Sequence, residues 1–158
     1  MSNTSIKLDE IDKKILSILQ KNAKITNAQL SNDIGLSPAP TLERVRKLEQ
    51  TGVIKSYHAR INHELLGINI GVFVQVSFHS HSKNDILSFV QKINLIPEII
   101  ECYHVTGSSD ILLKVLAKDI ANYHEFLLSK LVDIEEIGKM ESLVILANYK
   151  QSPVFQIE

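Results

Sequence analysis

Gly35-Leu36-Ser37-Pro38-Ala39-Pro40-Thr41-Leu42-Glu43-Arg44-Val45-Arg46-Lys47-Leu48-Glu49 reads as a turn followed by a short amphipathic helix. Ser37 is a good helix cap, and Pro38 suits the first helical position, where a missing N–H has no intrahelical partner to lose. Pro40 is tolerated because it still lies in the first turn. At ~100° per residue, Leu42, Val45 and Leu48 share one face and are expected to pack inward. Pro40, Glu43, Arg44 and Lys47 point the other way, with Arg46 on the flank, so the outer face is basic.

Working upstream, Thr26 with Gln29 three residues on forms a capping box that opens a helix through Leu30 to Ile34. Gly35 supplies the left-handed residue on which helices commonly end. Before that, Leu8, Ile11, Ile15, Ile18 and Leu19 fall at helical spacing behind Asp9, a cap candidate, and this helix is expected to end near Gln20. Two short helices a three-residue turn apart, the second one basic, fit a helix-turn-helix that meets double-stranded DNA. Downstream of Gly52, Val53 to Ile61 is rich in strand formers and reads as a wing or connector.

Composition agrees with this reading. Residues 1–62 carry ten Lys/Arg against six Asp/Glu, whereas residues 63–158 carry seven against twelve. The front half suits phosphate and the back half does not. An apolar share of 44% is ordinary for a globular protein. Cys102 is alone, which excludes an intramolecular disulfide and a thiolate zinc site and agrees with a reducing compartment. The first residues do not resemble a signal peptide, and no apolar run approaches the ~18 residues that span a bilayer. A cytoplasmic protein without a membrane partner is expected.

The back half alternates strand and helix. Ile70 to Phe78 shows period-two apolar residues, and Ile86, Phe89, Val90 and Ile93 give a helix closed before Pro97. Ile99–Thr106 and Ile111–Ala117 are two strands joined by Gly107-Ser108-Ser109-Asp110, a hairpin turn. Asp119 caps a helix carrying Ile120, Tyr123, Leu127 and Leu131, and a last strand is expected through Leu143 to Ala147. The tail, 148–158, has no clear pattern. This order is the ferredoxin-like βαββαβ arrangement, with two helices on one sheet face. Several strands are apolar on both faces, so the uncovered face predicts self-association. The fold class is α+β, with a winged helix-turn-helix over 1–55, a strand linker over 56–69 and the ferredoxin-like domain over 70–158.

The chain resembles the Lrp/AsnC, or feast/famine, regulators over nearly its whole length. The likeness rests on Leu8-Asp9-Glu10-Ile11-Asp12-Lys13-Lys14-Ile15-Leu16, Gly35 to Pro40, Leu42-Glu43-Arg44-Val45, Leu48 to Ile54, and Val105-Thr106-Gly107-Ser108-Ser109-Asp110-Ile111-Leu112-Leu113. The resemblance implies a cytoplasmic transcription factor of bacterial or archaeal type. It also implies homodimers formed through the sheet, commonly four of them closed into an octamer, and amino-acid effectors bound in clefts between dimers. A role as a DNA-architectural protein, wrapping DNA with low specificity and no effector, is the alternative.

For DNA contact, Arg44 and Lys47 are the leading candidates, supported by Ser37, Pro38, Pro40, Thr41 and Arg46. Arginine can bridge the two acceptors of a guanine, while lysines and hydroxyls position the protein on phosphate. The plainer reading is a Glu43–Lys47 surface pair, worth ~0.2–0.5 kcal/mol. For the effector, Thr106, Gly107, Ser108, Asp110, Met140 and Ser142 are the candidates. Gly107 opens the backbone to a ligand, Asp110 offers a carboxylate to an ammonium, and turn N–H groups offer donors to a carboxylate. The family often has an aromatic residue where Ile111 stands and threonines near Met140 and Ser142. The resemblance therefore implies a less polar pocket here, suited to leucine or methionine or else without a ligand. His79 and His81 lack the surrounding carboxylates or thiols of a metal site, and His104, Ser108 and Asp110 have no base-orienter spacing, so neither a metal nor catalysis is expected. An RNA-binding sheet would need exposed aromatics on its third strand, where Leu112 to Leu116 stand instead.

Overall fold

The computed structural model describes residues 6–80 and 82–157; His81 lies outside them. The chain forms two compact units. One comprises the described residues up to Arg60 together with 150–157, and the other spans Ile61–Tyr149.

The first unit holds three helices: α1 (Glu10–Lys21), α2 (Asn27–Ile34) and α3 (Pro38–Gln50). Local chemistry sets their boundaries. Asp9 and Asp12 form a reciprocal capping box on α1, as Thr26 and Gln29 do on α2. Gly35 ends α2 at φ 78° in the left-handed region, and α3 starts three residues later. Ser37 occupies the cap position of α3, but its side chain makes no capping bond. Instead its carbonyl accepts the Thr41 hydroxyl at 2.9 Å. Ile15, Leu16, Leu30, Ile34 and Leu48 form the core.

Two expectations for this unit are corrected. The inward face of α3 is Thr41, Val45 and Leu48, because Thr41 is 0% exposed whereas Leu42 is 38% exposed. The segment after α3, predicted as a strand, forms none over 53–61. An extended segment becomes a strand only where a ladder partner accepts its backbone groups, and among the described residues none does. The segment is held to α3 by the Ile54 N–H, which donates to Leu48 O at 3.0 Å, and by the Tyr57 hydroxyl, which donates to Glu49 Oε1 at 2.9 Å.

The second unit is a four-stranded antiparallel sheet of β1 (Ile70–Phe78), β2 (Ile99–His104), β3 (Ile111–Ala117) and β4 (Ile137–Val144), in the order β2-β3-β1-β4. Helices α4 (Lys83–Ile93) and α5 (Ile120–Phe126, continued by a π turn over Leu127–Leu131) cover one face. Val72, Val74, Val76, Ile111, Leu113 and Val115 are sealed beneath them with Phe89 and Leu131. The rings of Phe78 and Phe89 meet edge to face at 5.1 Å. The last strand starts earlier than its most apolar run suggests and ends at Val144. Its ladder with β1 runs from Phe78↔Ile137 to Val72↔Val144, so the pairing partner, and not local hydrophobicity, sets its span.

Candidate nucleic-acid interface and ligand turn

The outer surface of α3 differs from the expected one because Thr41, and not Leu42, takes the inward place beside Val45 and Leu48, which turns the helix by a fraction of the ~100° between neighbouring residues. With Thr41, Val45 and Leu48 inward, ~100° per residue directs Glu43, Arg46, Lys47 and Gln50 away from the core; all four are exposed. Arg46 and Lys47 make no ion pair among the described residues, and neither does the Glu43–Lys47 couple expected as the plainer alternative.

Arg44 is engaged inside the unit. Its Nη1 lies 2.7 Å from Asp9 Oδ2 and 2.7 Å from Asp12 Oδ1. The Asp12 side chain is 11% exposed and that of Arg44 31%. The backbone N–H of Asp12, followed by the Arg44 guanidinium, holds the Asp9 carboxyl below its usual range, and the two carboxylates push Arg44 further up. The guanidinium therefore ties α3 to the start of α1. It stands beside a cleft of about 550 Å³ that is also lined by Lys7, Pro40, Glu43 and Lys47. Thr41, being buried and bonded to Ser37, does not reach a DNA surface. Ser37 and Pro38 are exposed at the N-terminus of α3, and Pro40 is half-buried.

In the second unit, the turn after β2 is pinned to β1. The Val105 N–H donates to Asp110 O and the Asp110 N–H to Val76 O, both at 2.9 Å. Asp110 Oδ2 in turn accepts the Phe78 N–H at 2.9 Å. Asp110 thus anchors the turn. Gly107 has φ 130°, closed to side-chain-bearing residues, and open space where a Cβ would lie. Gly107→Ala is therefore expected to destabilise this unit by about 1 kcal/mol through backbone strain alone, measured by thermal unfolding; an unchanged midpoint would remove the conformational argument.

The effector candidates do not converge on one cavity. Thr106 and Ser108 are exposed in the turn. Beside it lies a cleft of about 40 Å³ lined by Gln75, Ser77, Ser108, Ser109, Lys139 and Glu141. Met140 and Ser142 alternate with Lys139 and Glu141 along β4 and so face the helices: Met140 packs on the core, and Ser142 Oγ lies 2.6 Å from the Tyr123 hydroxyl. Ile111 is sealed in the same core, so the less polar pocket inferred from these positions has no basis in their placement. Lys139, Glu141 and Ser77 were not singled out from the sequence; the signal available was strand alternation, which puts Gln75 and Ser77 together on one face of β1. His79 is exposed, and no cluster of three metal-ligating side chains occurs among the described residues. No described helix is long and apolar enough to cross a membrane.

Comparison with known proteins places both units. Residues 8–55 match the winged helix-turn-helix DNA-binding family, and residues 71–155 match the Lrp/AsnC ligand binding domain. The leucine-responsive regulatory protein of Haemophilus influenzae is 39% identical over 145 residues, covering 92% of this chain and 87% of that protein. The transcriptional regulator AzlB of Bacillus subtilis is 35% identical over 147 residues, covering 93% and 94%. Among solved structures, a transcriptional regulator of Neisseria meningitidis in complex with L-Met superposes with a TM-score of 0.88 at 31% identity, covering 92% of this chain and 94% of that one. E. coli AsnC superposes at 0.85 with 30% identity, covering 92% and 97%. With a helix-turn-helix unit, a ligand-binding βαββαβ unit and relatives matched along almost their full length, this chain belongs to the Lrp/AsnC family of DNA-binding transcriptional regulators, which are not enzymes.

Proposed function

We propose that the chain is a sequence-specific regulator whose operator is read by Arg46, with Lys47 on the phosphate backbone, and whose DNA affinity responds to an apolar L-amino acid. The observation that carries the DNA reading is the engagement of Arg44 by Asp9 and Asp12, while Arg46 and Lys47 are exposed on the outer face of α3 with no ion pair among the described residues. Arg46 is suited to bidentate base contact and Lys47 to phosphate. Ser37 and Pro38 sit at the helix N-terminus, where backbone N–H groups favour a phosphate. Arg46→Ala is expected to weaken operator binding by about 1–3 kcal/mol without lowering the unfolding midpoint. Equal weakening on unrelated duplexes would assign Arg46 to phosphate instead.

The effector proposal is supported by the match to a ligand-binding domain and by the relative solved with L-Met. The cleft beside Ser108 brings a cation, Lys139, and an anion, Glu141, near hydroxyl groups, a complement to a zwitterion. At about 40 Å³ it has room for little more than one water. A second copy completing the site is therefore part of the proposal, with homodimers formed through the open sheet face and four dimers closing into an octamer. Calorimetric titration with L-methionine, L-leucine, L-asparagine and L-lysine tests the effector class: saturable heat is expected with the first two, and binding confined to asparagine or lysine would overturn it.

A further inference from the structure

The last residues of the chain, which follow β4 without regular structure, do not stay with the ligand-binding unit. Residues 150–157 belong to the DNA-binding unit. Three contacts seat them. Gln20 on α1 pairs with the Phe155 backbone in both directions: the Phe155 N–H donates to Gln20 Oε1 at 3.0 Å, and Gln20 Nε2 donates to Phe155 O at 3.3 Å. Arg60, the last residue before the chain leaves this unit, donates to Gln151 O at 3.1 Å and to Gln151 Oε1 at 2.8 Å. Ile157 packs on the cluster of Ile15, Leu16 and Leu48.

The two polar contacts have the form of backbone recognition. A side-chain amide bonded to both the N–H and the C=O of one residue fixes a strand-like segment without a sheet. A guanidinium holding a carbonyl and an amide oxygen of one residue fixes its register. Arg60 and Gln151 lie next to the two points at which the chain passes between the units, so this contact staples the outgoing and returning segments together. The ligand-binding unit is consequently joined to the DNA-binding unit at two points of the chain instead of one.

The seat is also incomplete. A groove of about 330 Å³ remains beside the returning segment, between Leu16, Leu19, Ala23, Ile54, Phe155 and Ile157. Phe155 is 71% exposed, and only Val154 and Ile157 are half-buried. Segments with few buried apolar contacts and side-chain-mediated hydrogen bonds open at low free energy. What they brace here matters for DNA. Gln20 is on the helix whose Asp12 holds Arg44, and Ile54 belongs to the segment that folds back on α3 through Tyr57.

We infer that residues 150–157 are a releasable strap: seated, they brace α1 and the segment behind the DNA-reading helix, and their release lowers DNA affinity. Changes in the ligand-binding unit reach this strap along the chain from β4, through residues 145–149. The strap itself rests on no effector and is tested without one. Hydrogen exchange on the full-length protein is compared with Gln20→Ala, Ile157→Glu and a chain ending at Gln151, together with affinity for one fixed operator duplex. In the intact protein the Phe155 amide is expected to exchange at least about tenfold slower than in a free peptide. In the variants, α1 peptides are expected to exchange faster while those of β1 and β3 do not change, and DNA affinity to fall about three- to tenfold. Free-peptide exchange of the Phe155 amide in the intact chain would overturn the strap. So would undiminished DNA affinity in the variants. Failure of the intact protein to bind any duplex would instead count against the proposed operator, and the exchange comparison would still decide the strap.

Discussion

Arg44→Ala is expected to lower the unfolding free energy of the DNA-binding unit by about 2 kcal/mol and to weaken binding to every duplex alike. The guanidinium is the only cation within ion-pair distance of Asp12 among the described residues. Its removal leaves a carboxylate that is largely shielded from water without a counter-charge. It also unfastens α3 from the start of α1, two elements otherwise held by side-chain packing. Arg44→Lys is expected to recover part of the loss, because an ammonium matches the charge but not the planar geometry. Urea unfolding followed by circular dichroism measures the effect, and hydrogen exchange in α1 assigns it to this unit. Retained stability with affinity lost for one operator alone would return Arg44 to base reading.

The same clamp predicts a pH dependence. Asp9 is held below its ordinary value of 3.8, first by the Asp12 backbone N–H and then by Arg44. A lowered folded-state value means that the contribution is complete above 3.8 and vanishes as pH falls through the lowered value. The gap between wild type and Arg44→Ala is therefore expected to persist at neutral pH and to narrow in acid.

This residue also shows where sequence reasoning ended. Caps were legible because their partners are three residues apart: Asp9 with Asp12, Thr26 with Gln29 and Asp119 with Asn122 all form as the spacing requires. The left-handed Gly35 and the βαββαβ order were legible for the same local reason. Arg44 was not, because its partners lie 32 and 35 residues away and a basic side chain on an amphipathic helix looks the same whether it faces phosphate or a carboxylate. On α3, Val45 and Leu48 face inward as expected, but Leu42 was given the place of Thr41, because Thr41 counts as polar in any apolar period, yet it is buried once its hydroxyl finds the Ser37 carbonyl. The span of β4 and the return of residues 150–157 were set by partners distant in sequence. In the ligand turn, Gly107 and Asp110 were found by type, but whether Asp110 faces a ligand or β1 depends on the sheet.

The uncovered sheet face carries the other large expected effect. Direct antiparallel partners share a face, so Phe73, Leu116, Leu143, Leu112 and Tyr103 stand together opposite the helices. Among them lies a polar group: Glu101 accepts the Tyr103 hydroxyl at 2.7 Å and Lys114 Nζ at 2.9 Å. Burial raises the Glu101 carboxyl, but these two donors outweigh it and hold the group below its usual range. A charge satisfied within its own sheet can be covered without leaving an orphan. Apolar neighbours around a self-satisfied polar centre suit a second copy of the same face. Leu112→Asp tests this sharply. In a single copy Leu112 is half-exposed, so the change is expected to cost little stability there. Across a closed interface it buries a second carboxylate beside the Glu101–Lys114 pair, whose ammonium Glu101 already engages, at about 3 kcal/mol or more, which corresponds to a dissociation constant raised by at least about a hundredfold. Sedimentation velocity at micromolar protein is expected to show a dimer or larger species for wild type and a monomer for Leu112→Asp, with operator affinity falling alongside because paired recognition helices are lost. Leu87→Asp, on the outer surface of α4, is the control and is expected to leave the dimer intact. A monomeric wild type, or a Leu112→Asp protein that sediments as wild type does, would move the contact away from this sheet.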